Sequence, residues 1–454
     1  MIFNDHDTIV AASTPTGGAL CVVRLSGEHA IAICDKVFRG RKPLSEARTA
    51  TLHYGNIVDG ESVVDDVVVT VFRAPHSYTG EDSVEISAHG SRYVVNQILG
   101  LLCSKGARMA EAGEFTRRAF LAGRMDLSQA EAVADIIAAD SRASHAVAST
   151  QMRGDYSSML GELRSQLVHI TSLLELELDF SEEDVEFADR EELKTLLSKL
   201  YEKVGALADS FELGNALKQG VMVAIAGRPN VGKSTLLNRL VGENRAMVSD
   251  IAGTTRDTIE ATANLGGVIY RFVDTAGLHN TSDVLERMGI ERTTEALSRA
   301  NIVLWLTDDA KSRFDDDMAD FQPLPQQKLY RVITKSDLQS VQCCSMNDCG
   351  FPTLVISAKT GEGMDALHEA LLKAADATAA YAGDVIVSNR RHYDALCQAH
   401  ENLAAALSGL KNNIPSDLLS EDIRQVIYHI GTITGEISSE DILHSIFANF
   451  CIGK

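Results

Sequence analysis

The 454-residue sequence lacks the features that mark membrane proteins, secreted proteins and general nucleic-acid-binding proteins. Its formal net charge is −21, so it has no excess of Lys and Arg with which to coat nucleic acid, and any RNA contact must be local or shared with a partner. It contains no apolar run near the ~20 residues that cross a bilayer, and no charged-then-apolar leader. Its eight cysteines are scattered except for Cys343, Cys344 and Cys349, which have no matching second pair for zinc. We therefore expect a cytoplasmic protein with free thiols and no membrane partner.

Proline is scarce as well, and none occurs between Pro75 and Pro229. Apolar residues in this gap recur at helical spacing, which predicts long amphipathic helices. These residues are Leu160, Leu163, Leu167, Ile170, Leu174 and Leu178, followed by Leu193, Leu196, Leu200, Val204, Leu207 and Phe211. A similar pattern, interrupted only by Pro415, occupies the C-terminal part of the chain. Neither portion is long enough to bury its apolar stripe alone, so we expect both to pack into one helical domain with another domain inserted between them.

The N-terminal part alternates short β-rich runs with turn residues, and a helical stretch follows over residues 93–102. The β-rich runs cover residues 8–12, 19–25, 49–58, 67–72 and 84–89. This pattern predicts an α+β domain of about a hundred residues. Arg24 and Glu85 interrupt two of the apolar runs, and their ordinary interpretation is a salt bridge on an edge strand.

A phosphate-binding loop is predicted at residues 227–234, where Gly-Arg-Pro-Asn-Val-Gly-Lys-Ser follows the apolar run of residues 222–225. The Gly-x4-Gly-Lys-Ser spacing stands between a predicted strand and a predicted helix, as this motif requires. Its glycines let backbone N–H groups converge on phosphate oxygens, while the helix N-terminus adds a positive dipole. Lys233 supplies a point charge and Ser234 can ligate Mg²⁺. The alternative is a glycine-rich turn before an ordinary helix.

Three further segments follow predicted strands and favour guanine as the base. Asp274-Thr275-Ala276-Gly277 places a carboxylate where it can reach Mg²⁺ through water, and a glycine N–H near the γ-phosphate. In Thr334-Lys335-Ser336-Asp337, the carboxylate of Asp337 can accept hydrogen bonds from the N1–H and N2–H groups that guanine has and adenine lacks. Ser357-Ala358-Lys359 would back the base from the other side. Each segment is weak evidence alone, but their order and spacing make the set strong.

Two more segments narrow this to a resemblance: Gly253-Thr254-Thr255-Arg256-Asp257, and the C-terminal Phe450-Cys451-Ile452-Gly453-Lys454. With them the whole chain resembles the MnmE (TrmE) family of GTPases that act in tRNA wobble-uridine modification. The resemblance implies a multidomain α+β and α/β protein. Its parts are an N-terminal α+β folate-binding and dimerisation domain (1–120), a helical domain in two parts (121–217 and 379–454), and an inserted Ras-like P-loop G domain (218–378). One departure is Thr334, because the guanine motif of the family usually begins with Asn. We expect weaker guanine affinity, with Asp337 keeping the specificity.

The resemblance also implies how GTP is cleaved. Leu278 stands where Ras-like enzymes have a glutamine that orients the attacking water, so something else must align that water. In the family a potassium ion and a glutamate do this, and Glu286 matches the glutamate, although an ordinary solvated helical Glu is the alternative. The catalytic residues implied are Glu286, Lys233 and Arg256. The implied Mg²⁺ ligands are Ser234 and Thr255, and the implied K⁺ ligands are Asn230, Ser249, Ile251 and Thr254.

The resemblance implies two binding sites. The GTP site comprises Asn230, Val231, Gly232, Lys233, Ser234, Thr235, Ser249, Asp250, Ile251, Ala252, Gly253, Thr254, Thr255, Asp274, Thr275, Ala276, Gly277, Lys335, Asp337, Ser357, Ala358 and Lys359. The site for a 5-formyltetrahydrofolate-type donor comprises Arg24, Glu85, Arg124 and Lys454. The cations suit an anionic folate and Glu85 suits the pterin, while Arg124 stands where the family often has Lys.

The function implied is a potassium-stimulated GTP hydrolase that works as a homodimer. With an FAD-dependent partner of the MnmG (GidA) type in a heterotetramer, it would install the aminomethyl-type group at C5 of uridine 34 in certain tRNAs. The competing class is an Era-like ribosome-assembly switch without one-carbon chemistry. Such a protein should carry a basic RNA-binding module after its GTPase domain, and none is visible in the sequence.

Overall fold

The computed structural model describes residues 7–179, 190–243, 260–274, 296–308, 324, 327–338, 351–375, 383–412, 414–448 and 450–453. The chain divides into two units. The first comprises Met1–Ala134 and Gly431–Lys454, and the second comprises Asp135–Ile430. No helix within the described residues is long and apolar enough to cross a lipid bilayer.

The first unit is built on a mixed sheet, with two described helices between its strands in sequence and two after them. Its strands are β1 (Ile9–Ala12), β2 (Leu20–Ser26), β3 (Phe38–Gly40), β4 (Thr51–Asp59), β5 (Ser62–Phe72), β6 (Ser83–His89) and β7 (Arg108–Met109). Its helices are α1 (Ala30–Asp35), α2 (Arg92–Ser104), α3 (Glu114–Leu121) and, near the C-terminus, α13 (Glu440–Phe447). The strand order is β3-β4-β5-β6-β2-β1-β7, antiparallel except between β1 and β7. The predicted α+β fold is confirmed, and β3, β7 and α1 are additions to the predicted elements.

One face of this sheet is covered by the main core. The other is exposed along β4 but covered near β1, where Phe115 of α3 packs against Ile9 and Ala11. Alternate residues of β2, β5 and β6 pack against Val95, Ile98 and Leu102 of α2 to form the core. Because side chains alternate along a strand, the residues between them lie on the opposite face. Leu52 and Tyr54 of β4 are exposed there.

Arg24 and Glu85 lie on this opposite face as directly paired residues of β2 and β6. A salt bridge is present, as the sequence suggested. Its placement at an edge is wrong, because β2 and β6 are interior strands of the sheet. A charged pair on interior strands is compatible with the fold because the two charges pair with each other and both side chains stay partly exposed, 16% for Arg24 and 29% for Glu85.

The second unit contains a doubly wound sheet with helices around it. Its strands are β8 (Val221–Gly227), β9 (Glu260–Leu265), β10 (Val268–Asp274), β11 (Ile302–Thr307), β12 (Lys328–Ile333) and β13 (Thr353–Val355). The order is β13-β12-β11-β8-β10-β9, parallel except between β9 and β10. Four of these strands carry the predicted motifs at their ends. The sequence analysis missed β11, although its continuous apolar run is typical of a buried parallel strand.

The described helices of the second unit lie before, between and after the strands of this sheet in sequence. They are α5 (Arg142–Met152), α6 (Asp155–Asp179), α7 (Arg190–Asp209), α8 (Phe211–Gln219), α9 (Lys233–Glu243), α10 (Met364–Ala375) and α11 (Arg390–Lys411). Two more helices, α4 (Leu127–Ala138) and α12 (Ser416–Thr434), each contain a boundary between the units.

The two helical parts of the chain pack together through α7 and α11. The ring of His400 on α11 stacks on Tyr201 of α7 with centroids 3.9 Å apart. Gly205 permits this approach, since a Cβ there would lie 2.9 Å from Nε2 of His400. Phe211 does not continue α7 as its spacing predicted, because the helix ends before Ser210. The Ser210 hydroxyl bonds the Leu207 carbonyl and accepts from the N–H of Val387.

Candidate functional site

The phosphate loop connects the end of β8 to the start of α9. Gly227 has φ of +141°, and a Cβ there would lie 2.3 Å from the carbonyl oxygen of Leu306 on β11. A side chain is therefore excluded at this position. Asn230 also has a left-handed φ, +64°, and is exposed at the tip of the loop. This conformation turns the chain at the loop, and α9 begins directly after it at Lys233.

Lys233 is held inside the loop. Its side chain is buried, and Nζ donates to the carbonyl oxygens of Gly227 and, at 3.0 Å, Arg228. Ser234 and Thr235, in the first turn of α9, are exposed. Converging N–H groups, a helix N-terminus and a Lys ammonium form a donor set that fits the phosphates of a nucleotide, and the Ser234 hydroxyl is a ligand that Mg²⁺ accepts.

The predicted guanine-binding residues come together at the ends of β12 and β13. Asp337 is exposed, and its Oδ1 accepts a hydrogen bond of 2.7 Å from the hydroxyl of buried Ser357. The neighbouring Lys335 has φ of +57° and places Nζ 2.8 Å from Oδ2 of Asp308. Ala358 and Lys359 follow Ser357 at the same edge of the sheet. An oriented, solvent-accessible carboxylate at this edge suits the paired N–H donors of guanine.

Thr334 begins this segment and contacts the phosphate loop. It is buried, and its hydroxyl donates to the carbonyl oxygen of Val231 at 2.6 Å. The hydroxyl also lies 3.2 Å from the carbonyl oxygen of Thr307, to which the Thr334 N–H donates at 2.8 Å. The segments predicted to bind the base and the phosphates are thereby joined by a single side chain.

Several predicted site residues lie outside the described residues, and their roles stay predictions. These are Ser249, Asp250, Ile251, Ala252, Gly253, Thr254, Thr255, Arg256, Thr275, Ala276, Gly277, Leu278, Glu286 and Lys454, together with the side chain of Asp274. The structure therefore describes Ser234 of the two predicted Mg²⁺ ligands and Asn230 of the four predicted K⁺ ligands.

A second candidate site lies in the first unit, around the Arg24–Glu85 pair. The guanidinium of Arg24 contacts Oε1 of Glu85 at 2.8 Å and 2.9 Å. It also lies over two aromatic rings, 5.1 Å from the centroid of Tyr78 and 5.7 Å from that of Phe115. Burial raises the pKa of the Tyr78 phenol, and hydrogen bonding to Thr116 and the charge of Arg24 offset this only in part.

A cavity of about 380 Å³ opens beside this pair. It is lined by Phe72, His76, Ser77, Tyr78, Ser83, Glu85 and Arg124. Gly80 lies close to the Arg124 stem, since a Cβ there would be 3.5 Å from Cγ of that side chain. Two of the four predicted folate residues, Glu85 and Arg124, thus line one cavity with charges of both signs, and a third, Arg24, contacts Glu85.

The loop that forms one wall of the cavity, residues 73–82, is fixed by a buried ionic network. Arg118, on α3, contacts Glu81 of this loop at 3.2 Å, Asp7 at 2.6 Å and Glu114 at 3.0 Å. Arg108 adds contacts to Asp7 and Glu114 at 2.6 Å and 2.7 Å. The network ties the N-terminal segment, this loop and α3 together, and so holds Tyr78 in place.

The C-terminal tail packs against the same unit. Ile452 forms an antiparallel bridge with Ala112, and the carbonyl of Cys451 accepts from the N–H of Gly113. Gly453 lies against the end of β1, where a Cβ would be 2.2 Å from the carbonyl oxygen of Ala12. Since Ala12 pairs with Val23, next to Arg24, Gly453 lies near the strand that carries Arg24.

Sequence reasoning missed the aromatic and ionic surroundings of this cavity, namely Tyr78, Phe115, Glu81 and Arg118. The turn-rich stretch between β5 and β6 was visible as a loop in the sequence. Which of its residues face Arg24 depends on contacts with α3, more than thirty residues further along the chain, and no local pattern encodes those contacts.

The fold and the nucleotide site define a phosphate-loop GTPase of the Ras-like type, carried within a helical domain that follows an α+β domain. The family model for the MnmE helical domain matches residues 127–451, and that for the GTP-binding protein TrmE N-terminus matches residues 8–124. The chain therefore belongs to the MnmE (TrmE) family and is a GTPase. The resemblance seen in the sequence is confirmed.

Full-length relatives agree with this assignment. The tRNA modification GTPase MnmE of Flavobacterium johnsoniae is 47% identical over 464 residues, covering 99% of this chain and 100% of that protein. The protein of the same name from Bacteroides thetaiotaomicron is 48% identical with the same coverage. That of Cytophaga hutchinsonii is 46% identical over 458 residues, covering 100% of this chain and 99% of that protein.

Proposed function

We propose that this chain hydrolyses GTP to drive modification of C5 of the wobble uridine in certain tRNAs, with a 5-formyltetrahydrofolate-type molecule as one-carbon donor. The observation that carries the proposal is the presence in one chain of a phosphate-loop nucleotide site and a cavity lined by Glu85 and Arg124, with Arg24 paired to Glu85. Its domains would be 1–120, 121–217, 218–378 and 379–454, and it would work in the cytoplasm. The tRNA-modifying role agrees with the names of its relatives.

In the proposed hydrolysis, the loop N–H groups and Lys233 bind the phosphates and Asp337 orients the guanine. Ser234 and Thr255 would hold Mg²⁺, and Asn230, Ser249, Ile251 and Thr254 would hold K⁺. These cations would neutralise negative charge that develops on the phosphates. Because Leu278 has no polar atom, Glu286 would orient the attacking water, while Arg256 acts on the phosphates.

In the proposed folate site, the cationic side chains bind the carboxylates of the donor and Glu85 accepts from the pterin ring. The aromatic ring of Tyr78 forms a wall of the cavity suited to a flat heterocycle. Lys454 would add a further cation, which is supported by the position of Gly453 beside β1.

The proposed partners are a second copy of this chain, an MnmG (GidA)-type FAD protein and tRNA. Support for the homodimer comes from the face of the N-terminal sheet that is exposed along β4. Leu52 shares a row of cross-strand neighbours with Thr70, Glu85 and Arg24, and Tyr54 lies in the next row with Val68. Exposed apolar side chains beside a functional pair are typical of an interface.

The second candidate function is an Era-like assembly switch. It would share the nucleotide site but has no use for a charged cavity in the N-terminal unit. The two functions therefore differ in whether the chain binds a folate.

We expect 5-formyltetrahydrofolate to bind the full chain in a calorimetric titration. Arg24→Met should weaken binding at least about tenfold, because it removes a charge-assisted contact. Arg39→Met, which removes an exposed arginine on β3, should bind as the wild type does, and both variants should hydrolyse GTP normally. Absence of binding by the wild type would favour the assembly switch.

We expect GTP turnover to be roughly tenfold or more faster in potassium than in sodium, equivalent to about 1.4 kcal/mol of transition-state stabilisation. Asn230→Ala should remove the difference. Since Asn230 has a positive φ, Asn230→Gly tests the same side chain without backbone strain. Asn238→Ala, an exposed asparagine on α9, serves as control. Equal rates in both salts would rule out the role of the cation.

A further inference from the structure

The side chain of Thr334 has a single hydrogen-bond donor, its hydroxyl proton, and this proton is donated within the protein. A threonine hydroxyl donates one hydrogen bond. Here the donor distance to the carbonyl oxygen of Val231 is 2.6 Å, and the nearest other acceptor, the carbonyl oxygen of Thr307, is also a backbone group. Thr334 is only 3% exposed, so no solvent competes for this proton. The hydroxyl is therefore committed to the phosphate loop.

Guanine presents two different edges to a protein. N1–H and N2–H are donors on one edge, while N7 and O6 are acceptors on the other. If Asp337 accepts from the donor edge, the five-membered ring of the base, which carries the ribose and N7, lies toward the phosphates. Thr334 stands between Asp337 and the phosphate loop, and so is the side chain of this segment closest to the N7 side.

An amide at this position would have two N–H donors, one for Val231 and one for N7. The threonine hydroxyl has no donor left once it has donated to Val231. Lys335, the next residue, directs its ammonium to Asp308 at 2.8 Å. The Ser336 hydroxyl donates to Oε2 of Glu362 at 3.1 Å. Each side-chain donor of residues 334–336 thus has a protein acceptor, and the segment retains its link to the phosphate loop.

We propose that Thr334 sets the base selectivity of this GTPase: it anchors the phosphate loop, gives N7 of the purine no hydrogen bond from its own side chain, and leaves recognition by residues 334–337 to Asp337, which accepts from the N1–H and N2–H groups. The proposal rests on the assignment of Asp337 in the proposed function. It names a class of nucleotide, guanine triphosphates altered at position 7, that this chain accepts and that an asparagine-bearing site would discriminate against.

The test is competitive binding of GTP, 7-deaza-GTP and ITP to the full chain. We expect the wild type to bind 7-deaza-GTP within about twofold of GTP, because the nitrogen that is lost has no partner. Thr334→Asn should bind GTP about 3- to 10-fold more tightly without a matching gain for 7-deaza-GTP, the size of one neutral hydrogen bond. Thr334→Ser, which keeps the hydroxyl, should show the wild-type ratio.

Two results would overturn the proposal. One is a wild type that binds 7-deaza-GTP about tenfold more weakly than GTP, a measurement that needs no variant. The other is a Thr334→Asn protein that folds and binds GTP but treats both nucleotides alike, since position 334 would then not face N7. ITP tests the role of Asp337 separately from that of Thr334. ITP lacks the 2-amino group, so if it binds as tightly as GTP, Asp337 does not accept a hydrogen bond from that group and has been misassigned.

Discussion

Replacing Asp337 by asparagine should lower the affinity for GTP by about 10²- to 10⁴-fold. Two hydrogen bonds to a charged acceptor are lost or weakened, and each is worth about 1.5–3 kcal/mol. The amide of the variant can instead donate to the 2-oxo group of xanthine and accept from its N1–H. Affinity for XTP should therefore rise while that for GTP falls, as measured by competition with a fluorescent nucleotide.

The structure indicates that this variant keeps its fold. Asp337 is exposed, and the oxygen of an asparagine can still accept from the hydroxyl of Ser357. Asp365→Asn, at an exposed aspartate in the first turn of α10, is the matched control and should leave both affinities unchanged. If Asp337→Asn lost GTP and XTP binding equally, the carboxylate would have a structural role and would not select the base.

Replacing Arg118 by methionine should destabilise the N-terminal unit by about 3–5 kcal/mol, the cost of removing one partner from a buried ionic cluster. The side chain of Arg118 is 3% exposed, and Glu114 beside it is 1% exposed. The loss leaves carboxylates buried with fewer cations around them. Hydrogen exchange of peptides from β1, β2 and β6 measures the change, because it reports on this unit separately from the GTPase domain.

An exposed pair provides the matched control. Arg424 contacts Glu175 at 2.6 Å, the same distance that separates Arg118 from Asp7, but its side chain is 52% exposed. Arg424→Met should have little or no effect on stability, because solvent already screens that pair. Equal effects of the two substitutions would show that burial does not set the strength of the network.

The same network predicts the direction of acid sensitivity. Burial alone would raise the pKa of Asp7 and of Glu114, but hydrogen bonds and charges from Arg108 and Arg118 outweigh it and hold both values below the ordinary range. Carboxyls with lowered pKa stabilise the fold above their ordinary pKa near 4, and this contribution is lost as the pH falls below that value. In Arg118→Met the loss of stability on acidification should be smaller, since Arg118 no longer lowers the pKa of Asp7 and Glu114.

The residues predicted for the nucleotide site could be chosen from the sequence because each group of them is local. Residues 227–234 bring their backbone groups together through the conformation of a single loop. Gly227, at a position that accepts only glycine, is visible in the sequence. The carboxylate of Asp337 needs only to follow a strand. The family resemblance supplied further predictions, namely the potassium-binding and folate-binding residues. The spacing of residues alone does not identify most of these.

Long-range pairing escaped prediction. The sequence marked Arg24 and Glu85 as charges in apolar strands but placed them at an edge, because strand order is set by packing between segments 61 residues apart. It gave no sign that Arg118 would meet Asp7, 111 residues away.

By itself, the order of residues determined that this chain has a phosphate loop, a guanine motif and helices flanking an inserted domain, because each depends on neighbours within a few turns of the chain. Only the tertiary structure decided that Arg24 pairs with Glu85 beside a cavity, and that the Thr334 hydroxyl donates its hydrogen bond to the carbonyl oxygen of Val231, 103 residues away. The reason is physical: spacing fixes which groups a segment offers, whereas the partner that takes each hydrogen bond is chosen by how distant segments pack.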